Sequence, residues 1–455
     1  MQEIWQIKDI LTALKITNKI KVTTPIHSLA IDSRVMKEGD VFLALKGPNF
    51  DAHNFLLEVE KKGASVLIVE NINPKITIPQ ILVSNTLQAL YDLALYKRQQ
   101  TKAKIIAITG SVGKTSAKEM LYKFCSFYGK SYASLGNFNN NIGLPLSLAN
   151  LPADCKFAVF ELGMNHVGEI EFLSNMLRPN IAWITLVSNA HIGNFNDIED
   201  IIEAKSEIFS GLVPTGKIIL NHNDKNFLSL KEKALKNHGF SVGQIKTYGS
   251  KLNNDLIIKN ISYQDQIIIE VMFNNKSYEL KFSLSNIALI KVIIAIIIIL
   301  DELGLDYESS LSLFAKLKAV SGRGNIIEYK ERIFINDSYN ASPVSMQAAL
   351  ENLAYLGKIK QKRTIAIIGT MLELGNKSKE LHLSLGRYLH QYNIDRVITI
   401  GEYMKDLFKT LPQKQRLAHF SAVKGNKENI RKLLKKSDII LLKSSRGLKL
   451  EDLLA

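Results

Sequence analysis

The sequence predicts an α/β protein of three domains. Its 455 residues correspond to roughly three domains at about 150 residues each. Short apolar runs alternate with helical stretches along the chain, the pattern of strand–helix–strand units. Most runs beyond residue 100 are apolar at every position, as expected for parallel strands covered by helices on both faces. The expected order is a small α/β domain at 1–85, a central domain on a mostly parallel sheet at 86–316, and a C-terminal Rossmann-like domain at 317–455.

In the first region the strand candidates are 41–45 (VFLAL), 65–70 (SVLIVE) and 80–84 (QILVS). A helical stretch at 86–100 leads into the second region, whose strand candidates are 104–109, 157–162, 181–187 and 217–220. The most apolar segment, 287–300 (IALIKVIIAIIIIL), is too short to span a bilayer, contains Lys291 and is followed by Asp301 and Glu302. It is predicted to be a buried helix. After the turn residues Ser321, Gly322 and Arg323, runs at 332–337, 364–369, 396–401 and 438–443 alternate with helical stretches and predict a second doubly wound sheet. Ligands of such sheets bind beyond the carboxyl ends of the strands, so the polar residues that follow each strand are the place to look for chemistry.

Composition narrows the classes. Hydrophobic residues make up 46% and charged residues 22%, which excludes a disordered chain, a collagen-like chain and a coiled-coil rod. Two cysteines, Cys125 and Cys155, exclude a disulfide scaffold and a cysteine-based zinc cluster. Residues 1–8 (MQEIWQIK) lack the basic cap and apolar run of a secretory signal, so a cytoplasmic protein without membrane insertion is expected. The net charge of +15 comes from scattered lysines with no aromatic residues interleaved. Solvated helix faces, or an anionic small substrate, account for it better than a nucleic-acid surface.

After the run 104–109 come Gly110, Ser111, Val112, Gly113, Lys114, Thr115 and Ser116, then a helical stretch. Glycines let backbone N–H groups turn inward around a phosphate, and the amino end of the helix adds positive potential. Lys114 then neutralises terminal phosphate charge, and the Thr115 hydroxyl holds Mg²⁺. The loop is the short form G-x-x-G-K-T, with Ile108 where the general pattern places its first glycine. An ATP site is predicted.

Glu161 ends the run 157–162, and His191 follows 181–187. A carboxylate and an imidazole at neighbouring strand ends, facing a phosphate loop, suit divalent-cation ligation. Lys205 reads from sequence as a surface lysine on a helix. Asn137, Asn139 and Asn140 form either a turn or a set of amides for a polar ligand near the triphosphate.

The segments TGSVGKTS, GNFNNNIGLPLSL, ELGMNHVGEI, NAHIGNF and EAKSEIF, in that order, resemble the ATP-dependent Mur ligases of peptidoglycan synthesis, over essentially the whole chain. DSYNASP at 337–343, GTMLELG at 369–375 and LLKSSRGLKLE at 441–451 point to the branch that joins D-alanyl-D-alanine to a UDP-N-acetylmuramoyl-tripeptide. Residues 31–55 resemble that family's uridine-nucleotide domain. Ala52, Thr370 and Ser444 depart from the family's usual glycine, aspartate and glycine, and 283–286 (SLSN) departs from its glycine-x-histidine-asparagine element.

The resemblance implies a uridine-nucleotide domain, a P-loop-type ATPase domain and a C-terminal ligase domain. It implies an acyl phosphate made with ATP and two Mg²⁺ ions, with Lys114, His191 and Lys205 as the catalytic set. Thr115 and Glu161 would hold one ion and His191 the second, with Lys205 a further ligand once carbamylated. The loop 110–116, Asn286, Arg323 and Asp337 would hold the nucleotide. Ser33, Arg34 and Lys46 would face the uridine diphosphate, Asn139 and Asn140 the muramoyl side, and Asn340, Ser342 and Pro343 the dipeptide. The expected partners are these small molecules, with no nucleic acid, and a monomer is expected. Two alternatives compete: a sister ligase adding a single amino acid, and an ATPase stimulated by nucleic acid, whose binding would fall steeply with salt.

Overall fold

The computed structural model describes residues 3–17, 20–22, 25–189, 192–263, 266–283 and 286–454. The protein is α/β, with three sheets in chain order. The first contains Leu29–Ala30, Val41–Leu43, Val66–Val69 and Gln80–Leu82, all parallel and in that spatial order. Its edge strand is covered rather than left open. The Asn150 side chain accepts from the Leu29 N–H (2.8 Å) and donates to the Leu29 carbonyl (2.9 Å), so one amide acts as a missing strand. Trp5 is buried beside it and donates its indole N–H to the Ala149 carbonyl at 3.0 Å.

The second sheet has nine strands, with Lys104–Thr109 between Ile181–Ile184 and Phe157–Glu161, all three parallel. The register pairs Ile108 with Glu161 and Thr109 with Ile184, which brings three carboxyl ends to one edge. Lys217–Asn221 and Ile245–Gly249 continue the sheet in parallel. Beyond them lies an antiparallel arm, Leu256–Tyr263, Ile267–Phe273 and Lys276–Phe282, which the sequence reading did not foresee. Ile267–Phe273 buries alternate residues, the mark of a sheet with one dry face. That face packs in one cluster with the isoleucine-rich segment after it.

The isoleucine-rich segment differs from the single helix expected. It forms two, Ile287–Ile293 and Ile296–Glu302. Between them Ala295 and Ile297 bond three residues back, to Val292 and Ile294, in a tighter turn. Successive β-branched side chains crowd the helical turn before them, which weakens helix continuity.

The third sheet runs Asn325–Tyr329, Arg332–Asn336, Ile439–Lys443, Thr364–Gly369, Arg396–Ile400 and Arg416–Phe420. The first pair is antiparallel and the rest parallel. This sheet reaches the second through a close backbone contact. The Gly193 N–H donates to the Glu373 carbonyl (3.0 Å), and a Cβ on Gly193 would lie 2.6 Å from the Gly375 nitrogen. Only glycine permits that approach. Among the described residues no helix is long and apolar enough to cross a membrane.

Asn150→Ala leaves the Leu29 backbone without its partners. It should speed amide exchange of Leu29 and Ala30 by the equivalent of about 1–3 kcal/mol, while exchange in Lys104–Thr109 stays unchanged.

Candidate active site

The loop after Lys104–Thr109 is held open by its neighbours. Gly113 has φ of 87°, a conformation that favours glycine, and from it the helix Lys114–Tyr128 begins. The end of the neighbouring strand, expected to continue to residue 187, leaves the sheet after Ile184 to brace this loop. Thr185 donates its hydroxyl to the Val112 carbonyl (2.7 Å), and the Ser111 N–H donates to the Leu186 carbonyl (2.6 Å). Ser111 and Ser188 complete the brace, the Ser111 hydroxyl donating to the Ser188 carbonyl at 3.0 Å.

Glu161 is the centre of the polar cluster. It is 2% exposed, and its oxygens accept from the Thr115 hydroxyl (2.6 Å) and the Asn139 amide (2.8 Å). Lys114 folds back and donates to the Gly110 carbonyl at 2.7 Å. Burial, together with the Arg323 charge, pushes the Lys114 amine below its ordinary range, and Glu161 and Glu373 oppose that shift.

Lys205 corrects the surface reading. It is 3% exposed, and its amine meets the Met164 sulfur at 3.6 Å. Burial and the nearby Lys114 charge push it well below the usual lysine range, with Glu207 opposing. Glu207 is itself engaged, since its carboxylate accepts from the Gly168 N–H (2.6 Å) and the Glu171 N–H (3.1 Å) at the start of the helix Glu169–Leu177.

A cavity of about 370 Å³ opens over these groups, and its far wall comes from the third sheet. Arg323, Asp337, Tyr339, Asn340, Ser342 and Lys443 all line it. Lys443, buried, donates to the Asp337 carboxylate (2.7 Å) and to the Asn340 carbonyl (2.9 Å). Burial raises the Asp337 pKa and Lys443 lowers it. Asn286 lines the cavity while its side-chain oxygen accepts from the Leu289 N–H at 3.1 Å, capping Ile287–Ile293.

Not every residue singled out from the sequence gathers here. Ser111 to Ser116, Asn139, Asn140, Glu161 and Lys205 line the cavity, with Gly110 just outside. Asn139 lies against Glu161, in the polar cluster itself. Pro343 opens the helix Pro343–Lys360, which Ser342 caps together with Ser345. Ser33, Arg34 and Lys46 belong to the first sheet's loops and form no part of the cavity wall. There the exposed Arg34 pairs with Asp32 at 2.6 Å. His191 lies outside the described residues. Lys443 and Tyr339 were not singled out. The signal for Lys443 was a lysine closing an otherwise apolar, buried strand.

Three family models match in chain order. "Mur ligase family, catalytic domain" covers residues 25–98, "Mur ligase middle domain" 108–299 and "Mur ligase, glutamate ligase domain" 322–446. A protein of Rickettsia prowazekii named UDP-N-acetylmuramoyl-tripeptide–D-alanyl-D-alanine ligase is 38% identical over 98% of this chain and 98% of its own.

The chain belongs to the Mur ligase family.

Solved Mur ligase structures agree in fold. MurF of Acinetobacter baumannii superposes with a TM-score of 0.87 at 30% identity, covering 99% of this chain and 98% of that one. MurF of Thermotoga maritima, solved in complex with ADP, gives a TM-score of 0.80 at 27% identity, covering 94% and 96%.

Among the described residues no group of three or more His, Cys, Asp or Glu assembles into a metal cluster. The oxygen donors that this Mur ligase brings together, the Thr115 hydroxyl and the Glu161 carboxylate, are hard ligands of the kind Mg²⁺ takes. Lys114→Ala removes the amine that lies against the Gly110 carbonyl beside Glu161. It should weaken ADP binding about 10- to 100-fold in calorimetric titration.

Proposed function

We propose that this protein joins D-alanyl-D-alanine to UDP-N-acetylmuramoyl-tripeptide with consumption of ATP, releasing ADP and phosphate, a step of peptidoglycan precursor synthesis. The observation that carries this reading is the facing of two walls across one cavity: the phosphate loop with Glu161 and Lys205 on one side, and Arg323, Asp337 and Lys443 on the other. The names of full-length relatives supply the substrates. We further propose the three domains at 1–85, 86–316 and 317–455 as the units that bring uridine nucleotide, ATP and dipeptide together, in a cytoplasmic monomer.

The terminal carboxylate of the tripeptide attacks the γ-phosphorus of ATP, forming an acyl phosphate as ADP departs. The dipeptide amine then adds to the acyl carbon and loses its proton, and phosphate leaves as the amide forms. Such chemistry asks for charge neutralisation and exclusion of water more than for a protein nucleophile. Lys114, the loop amides of residues 111–113 and Arg323 supply positive charge toward the transferred phosphoryl group. Asn286 and Asp337 complete the nucleotide site.

Thr115 and Glu161 would hold one Mg²⁺ and His191 a second, and such ions lower the charge on the phosphate oxygens. Lys205 fits the role of carbamylated ligand on the ground of its surroundings. A buried amine with a depressed pKa is partly neutral, so its nitrogen can add to the carbon of CO₂ and lose a proton, becoming an anionic oxygen donor. Ser33, Arg34 and Lys46 face the uridine diphosphate, Asn139 and Asn140 the muramoyl side, and Asn340, Ser342 and Pro343 the dipeptide.

ADP release should require both the UDP-muramoyl-tripeptide and D-alanyl-D-alanine; release indifferent to either would defeat the proposal. Lys205→Ala should lower turnover at least about 100-fold, with partial recovery on adding acetate or propionate. Full activity without added acid would remove carbamylation from the account.

A further inference from the structure

Tyr339 carries two guanidinium groups. Arg323 lies 4.1 Å from the centre of its ring and Arg446 4.9 Å. Among the described residues neither guanidinium forms an ion pair with a carboxylate, although Asp337 lies close enough to feel the Arg323 charge. Asp337 is held by Lys443 at 2.7 Å. Two like charges sharing one ring repel each other, and the face of the ring offsets only part of that. The arrangement is an anion receptor with two positive poles.

The poles are not equivalent. Arg323 stands beside the phosphate loop, close enough for its charge to lower the pKa of Lys114. Arg446, exposed and outside the cavity wall, opens the turn Arg446–Leu448 after the buried strand Ile439–Lys443. That turn is tied to the loop carrying Leu372 and Glu373. The Leu372 N–H donates to the Ser445 hydroxyl (2.9 Å), and the Ser445 N–H to the Thr370 carbonyl (3.1 Å). Tyr339 is fixed in turn, its N–H donating to the Gly322 carbonyl at 3.1 Å, one residue before Arg323. Because both stack on one ring, the two guanidinium groups lie within about 9 Å of each other, a reach comparable to two or three extended residues at ~3.3–3.6 Å each.

We propose that Arg446, seated on Tyr339, is the recognition residue for the free carboxylate at the far end of the incoming dipeptide. This rests on the function proposed above. The reacting amine has to lie at the phosphoryl end, marked by Arg323 and Lys114, and the carboxylate of a two-residue acceptor then falls near Arg446. A fork of N–H donors suits a carboxylate, and a guanidinium already seated on a ring loses less freedom on binding than a free one.

The test compares D-alanyl-D-alanine with D-alanyl-D-alaninamide as acceptor, in wild-type enzyme, Arg446→Leu and Arg446→Lys, with ADP release as readout and thermal melting as the check on folding. Wild type should prefer the acid over the amide by about 10- to 100-fold in kcat/KM. Arg446→Leu should raise KM for the acid by a similar factor, bring the acid-to-amide ratio toward one, and leave KM for ATP within about twofold; Arg446→Lys should fall between. A wild-type enzyme that uses acid and amide equally, or an Arg446→Leu variant that keeps the preference, overturns the assignment. So does a variant whose KM rises for ATP instead, which would make Arg446 a nucleotide contact. Failure of wild type to use the dipeptide at all would instead sink the function on which the inference rests.

Discussion

Glu161 is a carboxylate buried at the end of an apolar strand, and each of its oxygens accepts a hydrogen bond, from Thr115 on one side and from Asn139 on the other. A buried carboxylate without such donors is costly by several kcal/mol. The first turn of the phosphate-loop helix and the asparagine loop must therefore approach it together. The same helix secures that loop a second time. Lys118, one turn after Lys114 and fully buried, donates to the Gly136 carbonyl at 3.0 Å and to that of Ser134. Two lysines four residues apart on one helix thus hold different loops, Lys114 the glycine turn at Gly110 and Lys118 the loop that carries Asn139.

The third sheet completes the site from across the cavity. Its contribution depends on backbone approach at Gly193 and Gly375, where no side chain could fit. Contact at that point sets Glu373 and Arg323 near Lys114. An acyl phosphate exposed to water would hydrolyse, so a centre shared between two sheets serves both to gather charge and to exclude solvent.

Much of the fold was legible because its signals are local. Apolar runs bounded by turn residues located Lys104–Thr109 and Thr364–Gly369 at the expected positions, and strand, glycine turn and Lys-Thr located the phosphate loop. The misreadings share a cause. Residues 185–187 are as apolar as a strand, yet they leave the sheet because the loop needs their backbone and the Thr185 hydroxyl. The arm at 256–282 alternates in burial, and its pairing depends on hairpins that no parallel pattern announces. Lys205 sits on a helix with charged neighbours, and tertiary packing, with Met164 against its amine, turns an expected surface residue into a buried one.

The sequence by itself determined the central parallel strands, where the glycine turn with Lys-Thr lies and which family the motifs resemble, because each of these is written within one short stretch of chain. The tertiary structure alone decided that Thr115, Asn139 and Glu161 share one carboxylate, that Lys205 is buried, and that Arg323 and Arg446 meet on Tyr339. Those contacts join residues far apart in the chain, and their proximity follows from strand order and sheet packing, which composition and periodicity do not encode.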